Sequence, residues 1–178
     1  MVMVQQQIDM VEASLQRLSG RLEQVPVNEV LLTRIILFLA HDMSQMMDHH
    51  IRPFGLNEGE FRVLTALFSQ PENTAHPTDL CVRSSQSPAN MSRICDALVT
   101  RDLITRDLSA LDRRKMVLRM TPKGDQLVRD LLPTMFGGLR AAFTDFSQAE
   151  QRALIDQLKR LSGRIDEVSA DEAMEKAV

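Results

Sequence analysis

Tryptophan and tyrosine are absent from this chain, and its only benzenoid side chains are seven phenylalanines. Leucine, isoleucine, valine and eleven methionines must therefore fill the core, which suits helix packing better than a sandwich or barrel. Cysteine is limited to Cys81 and Cys95, which form no C-x-x-C pair and have no ligating residues at metal-binding spacing. A disulfide framework and a zinc module are thereby excluded, and reduced thiols in a cytosolic protein are the expectation. Long apolar runs are also lacking. The strongest, Val30 to Ala40, is broken by Thr33 and Arg34 and is shorter than the roughly 20 residues that a bilayer requires. Met1 to Asp9 has neither the basic start nor the apolar stretch of a secretory signal. A cytoplasmic chain with no membrane partner is expected.

Enzyme signatures are missing too. The sequence has no phosphate-binding G-x-x-x-x-G-K, dinucleotide G-x-G-x-x-G, H-E-x-x-H or G-x-S-x-G. His49 and His50 are adjacent, so a helix would point them to different sides, a poor chelate. The expectation is a non-enzyme without cofactor or metal.

The net charge of −3 does not advertise a nucleic-acid partner, but its distribution does. From His76 to Lys123 nine basic side chains face five acidic ones, a net of +4, which leaves −7 for the rest of the chain. A basic centre between acidic flanks is an electrostatic footprint for a polyanion, although such faces are also commonly just solvated.

At 178 residues the chain holds one domain's worth of structure plus helical extensions. Ile8, Val11, Leu15, Leu18 and Leu22 form a narrow helical seam of the kind that meets a partner helix, weakened by Gly20 and ended by Pro26. A second helix is predicted from an Asn28 cap, with Leu31, Leu32, Ile35, Ile36, Leu39, Met43, Met46 and Met47 on its apolar face, stopping before Pro53 and Gly55. Asn57 and Glu60 spell a capping box for a third, whose buried side is Phe61, Leu64, Leu67 and Phe68. His76-Pro77 opens a short helix through Val82, Ser84 to Ser87 make a polar turn, and Ser87-Pro88 starts a helix to about Arg101 with Met91, Ile94, Cys95 and Leu98 inward. That is a helix-turn-helix. Strands are predicted at Leu103 to Asp107 and at the alternating Met116 to Met120, joined by a connector that is basic at its end. A hairpin in that place is a wing. Thr121-Pro122 then restarts a helix lined by Leu127, Leu131, Leu132, Met135 and Leu139, with Gly137-Gly138 as a bend. Ser147 and Glu150 cap the last long helix, carrying Leu154, Ile155, Leu158, Leu161 and Ile165, and a frayed acidic tail is predicted after Val168.

The fold class that follows is mainly α with a small β-hairpin wing (α+β): a winged helix-turn-helix between N- and C-terminal helical dimerisation regions. Its divisions fall at 1–55, 56–123 and 124–178.

Asp112-Arg113-Arg114, followed by Met120-Thr121-Pro122-Lys123-Gly124, meets the pattern D-x-R, five residues, L-T-x-x-G, with Met120 in place of leucine. Asn90-Met91-Ser92-Arg93-Ile94, with Asp96, Leu98 and Ile104 beyond, is a second match. By these motifs the chain resembles the MarR family of winged-helix transcription regulators. Pro88, Ala89 and Ser84 depart from the usual pattern, Ser84 standing where an apolar core residue is common.

The resemblance implies a homodimer on a pseudo-palindromic duplex operator, with the first turns of the recognition helix in the major groove and the wing in the minor groove. Ser87, Ala89, Asn90 and Arg93 would face base edges, Asn90 suiting adenine and Arg93 guanine or phosphate. Ser92, Thr78, Arg113 and Lys115 are candidate phosphate contacts, Arg114 is the minor-groove residue, and Asp112 would steady an arginine. On sequence alone Ser87 also fits a mere cap and Arg93 a solvated charge; the wing beside it favours a DNA contact for Arg93. The resemblance further implies a repressor of a drug-efflux or aromatic-compound stress operon, released by a small lipophilic or phenolic effector. Arg34, His41, Met43, Met47, Phe61 and Leu64 are candidate effector contacts, although each also fits a plain core or surface role. Two alternatives stand beside this: a redox sensor on the same fold using Cys81 or Cys95, and a helical adaptor that does not touch DNA.

Overall fold

A computed structural model describes residues 3–108 and 116–175. The chain divides into two compact units, Met1–Pro133 and Thr134–Val178.

The first unit opens with α1 (Val4–Ser19), which ends at Gly20, and α2 (Val27–Ile51). Asn28 was expected to cap α2, but Pro26 holds the cap position and Asn28 lies in the first turn. The reason is that the proline carbonyl accepts the Val30 amide at 3.0 Å, while the proline itself needs to donate nothing there. As predicted, the helix runs unbroken through Thr33 and Arg34 and ends before Pro53. By length and composition alone, Val27–Phe54 reaches what a membrane crossing needs. Glu29, Arg34, Asp42 and Asp48 punctuate it, and α1 packs on it. Within the single chain only Ile51 of α2 is buried, whereas Leu32 and Leu37 are 57% and 56% exposed.

A 3-10 turn at Arg52–Phe54 leads through left-handed Gly55 into α3 (Glu58–Phe68), which has the expected capping box: Asn57 accepts from the Glu60 amide, and Glu60 accepts from the Asn57 amide. Phe61, Leu64 and Leu67 are buried as expected. Val63 joins them, while Phe68 is only half-buried, beneath the Arg129 guanidinium 5.3 Å from its ring centroid. Then come β1 (Thr74–Ala75), α4 (Pro77–Ser84), α5 (Pro88–Thr100), β2 (Ile104–Leu108), β3 (Met116–Met120) and α6 (Pro122–Ala142). The antiparallel sheet has the order β1-β3-β2, with Ala75 opposite Leu118 and Ile104 opposite Met120. The wing is thus three-stranded at its base, where a two-stranded hairpin was predicted. Two residues after a left-handed turn at Glu72 and Asn73 carry no readable alternation, so β1 left no trace in the sequence.

Leu80, Met91, Ile94, Leu98, Leu103 and Leu118 form the core of this lobe, each worth roughly 1.5–3 kcal/mol when fully buried. Ser84, expected in the turn, is instead the last residue of α4. It is buried and satisfied by donating to the Leu80 carbonyl at 2.5 Å.

Thr121 and Gly124 fix the passage from β3 to α6. The Thr121 hydroxyl donates to the Asp102 carbonyl at 2.8 Å and accepts the Gly124 amide at 3.0 Å. A Cβ on Gly124 would stand 2.1 Å from the Leu103 carbonyl oxygen, so only glycine permits this approach. On α6, Val128 and Leu131 are buried, while Leu127 is half-buried.

The second unit holds the end of α6, which runs on through Gly137 and Gly138, a turn in which Phe143 and Phe146 meet edge to face, and α7 (Gln148–Glu175). The Ser147–Glu150 box caps α7 as predicted. The expected fraying after Val168 is not seen, because Ala170, Glu172, Ala173, Met174 and Glu175 are good helix formers that carry α7 on. Leu154, Ile155, Leu158, Leu161 and Ile165 lie exposed along it.

Candidate nucleic-acid interface

The turn between α4 and α5 is set by Ser85, which takes a left-handed conformation (φ 55°) and lets the Gln86 amide return to the Cys81 carbonyl at 2.9 Å. Ser87 then caps α5, its hydroxyl accepting the Asn90 amide at 3.3 Å, and Pro88 fills the first helical position. Met91, Ile94, Cys95 and Leu98 face the core. Ser87, Ala89, Ser92 and Arg93 are exposed and Asn90 half-buried, so the first two turns display the residues singled out from the sequence. Thr78 is exposed near the start of α4.

These side chains are ordered among themselves. The Asn90 amide donates to Gln86 Oε1 at 2.5 Å and its Oδ1 accepts from Arg93 Nη2 at 2.7 Å. Both ends of the Asn90 amide are thus engaged, and reading a base with it means exchanging bonds worth about 1 kcal/mol net each. Gln86, which the sequence reading did not select, is part of this array. A polar cleft of about 390 Å³ runs beside it, walled by Asn57, Glu58, Arg62 and Arg93.

Arg106 on β2 was also missed. Its Nη1 pairs with Asp96 at 2.6 Å and its Nη2 donates to the Ser92 carbonyl at 3.2 Å, so the first wing strand is bolted to the exposed side of α5. Asp96 and Arg106 were both visible in the sequence, but only the helix-to-strand geometry pairs them. On the other side, His76 Nδ1 lies 2.8 Å from the Met116 carbonyl and ties β3 to the start of α4. Asp112, Arg113, Arg114 and Lys115 fall between β2 and β3 and lie outside the described residues.

The proposed effector contacts do not share one wall. Leu64 and Phe61 are buried in the lobe, His41 and Met43 are exposed on α2, and Met47 is half-buried. Arg34 stands over the Phe38 ring at 5.8 Å and lines a crevice of about 660 Å³ between α1 and α2, with Met10, Val11, Leu15 and Val30. Among the described residues no group of three or more His, Cys, Asp or Glu side chains is placed to hold a metal ion. The two cysteines are free, and burial pushes the Cys95 thiol above its ordinary pKa despite the neighbouring Arg106.

Residues 54–115 match the model of the MarR family. The chain is 30% identical over 161 residues to the transcriptional repressor MprA of Escherichia coli K12, covering 90% of this chain and 92% of that one. Its fold is similar to that of Sco3205, a MarR family transcriptional regulator from Streptomyces coelicolor solved in complex with DNA. The TM-score is 0.70 at 19% identity, over 80% of this chain and 89% of that one. It is also similar to BpsR of Bordetella bronchiseptica, whose DNA binding is regulated by 6-hydroxynicotinic acid, with a TM-score of 0.63 at 25% identity over 79% and 94%.

Proposed function

The chain belongs to the MarR family, and from that premise we propose that it is a cytoplasmic homodimeric repressor whose two winged lobes hold a pseudo-palindromic stretch of duplex DNA and release it when a lipophilic small molecule binds. It is a DNA-binding transcription regulator and not an enzyme.

One observation carries the DNA reading. The exposed first turns of α5 present Ser87, Ala89, Asn90, Ser92 and Arg93 on a rigid helix, and Arg106 fastens the wing strand to that same helix. In this reading the helix enters the major groove, while Arg114, from the segment joining β2 and β3, enters the minor groove. Asp112 steadies an arginine, and Arg113, Lys115, Ser92 and Thr78 meet phosphates and set the register.

Residues 1–55 and 124–178 make the dimer in this proposal and 56–123 the DNA-binding lobe. What supports this is the exposed apolar face of α2 and the stripe Leu154 to Ile165 on α7, which a single chain leaves in water. A two-fold dimer sets recognition helices about 34 Å apart, one turn of duplex. The effector is a weakly acidic lipophile. Arg34, which lines the crevice between α1 and α2, supplies the cation for it; His41, Met43, Met47, Phe61 and Leu64 do not line that crevice and form no single wall with it. Regulation of a drug-efflux or aromatic-compound stress operon follows from the family resemblance.

Footprinting on the DNA flanking the chain's own gene tests this. Two protected half-sites, one helical turn apart and lost on adding a phenolic acid, are the expected outcome. A single unsymmetrical footprint, or none at any salt concentration, would contradict it.

A further inference from the structure

Three polar side chains at the head of α5 form a chain whose direction is fixed from both ends. Gln86 Nε2 donates to the Ser84 carbonyl at 3.2 Å, Asn90 Nδ2 donates to Gln86 Oε1 at 2.5 Å, and Arg93 Nη2 donates to Asn90 Oδ1 at 2.7 Å. A backbone carbonyl can only accept and a guanidinium can only donate. Neither amide can turn over without setting two donors or two acceptors face to face. The far end of the chain is anchored in the fold, because Ser84 is buried at the end of α4 and left-handed Ser85 sets the turn that follows.

The near end carries a full charge. Arg62, Arg101, Arg106 and Arg119 each pair with a carboxylate, whereas this bond of Arg93 goes to a neutral amide. Glu58, an acid lining the cleft beside Arg93, is already engaged: it accepts from Arg62 at 2.9 and 2.6 Å and from Ser44 at 2.9 Å. The bond to Asn90 uses one of five guanidinium N–H groups and leaves a pair for O6 and N7, the two acceptors of a guanine edge. An adenine edge would need Asn90 Nδ2 and Oδ1 together, the two atoms that Gln86 and Arg93 hold.

We propose that Asn90 is a positioning residue and not a base reader: with Gln86 behind it, it holds the Arg93 guanidinium ready for one guanine in each half-site. This rests on the DNA-binding reading and names the base that the site selects. A free arginine samples many rotamers and must be ordered before it can make two bonds to one base. A guanidinium already held loses less on contact, and the gain is realised only at guanine, where both bonds form. The array therefore sharpens discrimination at one position more than it raises affinity for DNA at large.

The test is selection from a pool of random-sequence duplexes, read by sequencing, with full-length wild type, Arg93→Ala, Asn90→Ala, Gln86→Ala and the double variant Asn90→Ala/Arg93→Ala. Wild type is expected to prefer guanine about tenfold or more at one position of each half-site, and Arg93→Ala to abolish that preference. Asn90→Ala and Gln86→Ala should lower it at the same position by about two- to tenfold and leave the preferences elsewhere in the half-site standing. Those other positions report on folding, since a damaged lobe would flatten them all. Gln86 lies outside α5, so a matching loss there does not come from a change in the helix itself. The double variant should match Arg93→Ala, because Asn90 acts only through the arginine. Loss of an adenine preference at a different position in Asn90→Ala would make Asn90 a reader and overturn the proposal. So would a guanine preference that survives Arg93→Ala or is untouched by Asn90→Ala, losses that add in the double variant, or flattening of every position by both Asn90→Ala and Gln86→Ala. A wild type that enriches no sequence would instead contradict the DNA-binding reading itself and take this proposal with it.

Discussion

Arg106 and Asp96 form a 2.6 Å ion pair that joins β2 to the solvent side of α5, outside the apolar core. Asp96 is 63% exposed, so the pair contributes only about 0.2–1 kcal/mol to stability. Its place is positional, because it holds β2 against α5, the helix proposed to read DNA. Arg106→Ala is therefore expected to leave the melting temperature nearly unchanged and to lower DNA affinity several-fold. Asp96→Ala discriminates more sharply. Charge alone would make loss of an acid near DNA tighten binding, whereas loss of the wing's anchor loosens it. Weaker binding by Asp96→Ala, measured by fluorescence anisotropy at fixed salt, is expected.

Gly124 tests the passage from wing to α6. A methyl group there meets a backbone carbonyl oxygen at 2.1 Å, not a side chain that can swing away. Gly124→Ala is expected to cost about 2–4 kcal/mol, read as a lowered denaturation midpoint. An unchanged midpoint would mean that β3 and α6 separate more easily than their hydrogen bonds imply.

The cap of α7 gives a pH signature. The Ser147 amide and hydroxyl donate to Glu150 at 2.8 and 2.6 Å and hold its carboxyl below the usual glutamate range. A carboxyl depressed in the folded state adds stability above its unfolded pKa and loses it as pH falls through the folded value. Wild type should therefore melt above Glu150→Gln at neutral pH. The gap should close as the pH drops below about 4.3, the ordinary glutamate value. A gap that persists in acid would show that the carboxylate charge is not what holds the cap.

The α7 stripe bears on assembly. Leu158→Glu combined with Ile165→Glu puts two carboxylates on an apolar face whose residues stand about half in water in the single chain. Sedimentation velocity is expected to shift from dimer toward monomer, with loss of DNA binding in parallel. A wild-type sedimentation coefficient in the double variant would move the interface elsewhere.

Much of the fold was legible because the sequence states its boundaries chemically. Asn57 with Glu60, Ser87-Pro88, Thr121-Pro122 and Ser147 with Glu150 each put a donor or acceptor where a helix start needs one, and all four starts occur there. The candidate recognition surface was legible for the same reason, since the Ser87 cap fixes which residues occupy the first turns. Asn28 misled because a good cap residue stood two positions after a proline that did the same job. β1 escaped because its partners lie far along the chain, and pairing of Thr74 with Arg119 has no local pattern. The bonds of Arg106 escaped likewise: they are contacts between elements, and periodicity speaks only within one.

The most direct measurement is duplex affinity as a function of salt for wild type, Arg93→Ala and Arg114→Ala. Wild type should lose affinity linearly in log salt, with a slope of about −0.9 per phosphate neutralised. Each variant should bind more weakly, by about 1–3 kcal/mol where the lost arginine meets a base, or with a slope shallower by about one where it meets a phosphate. Wild-type affinity and wild-type slope in both variants would contradict a grip made by the head of α5 and the wing.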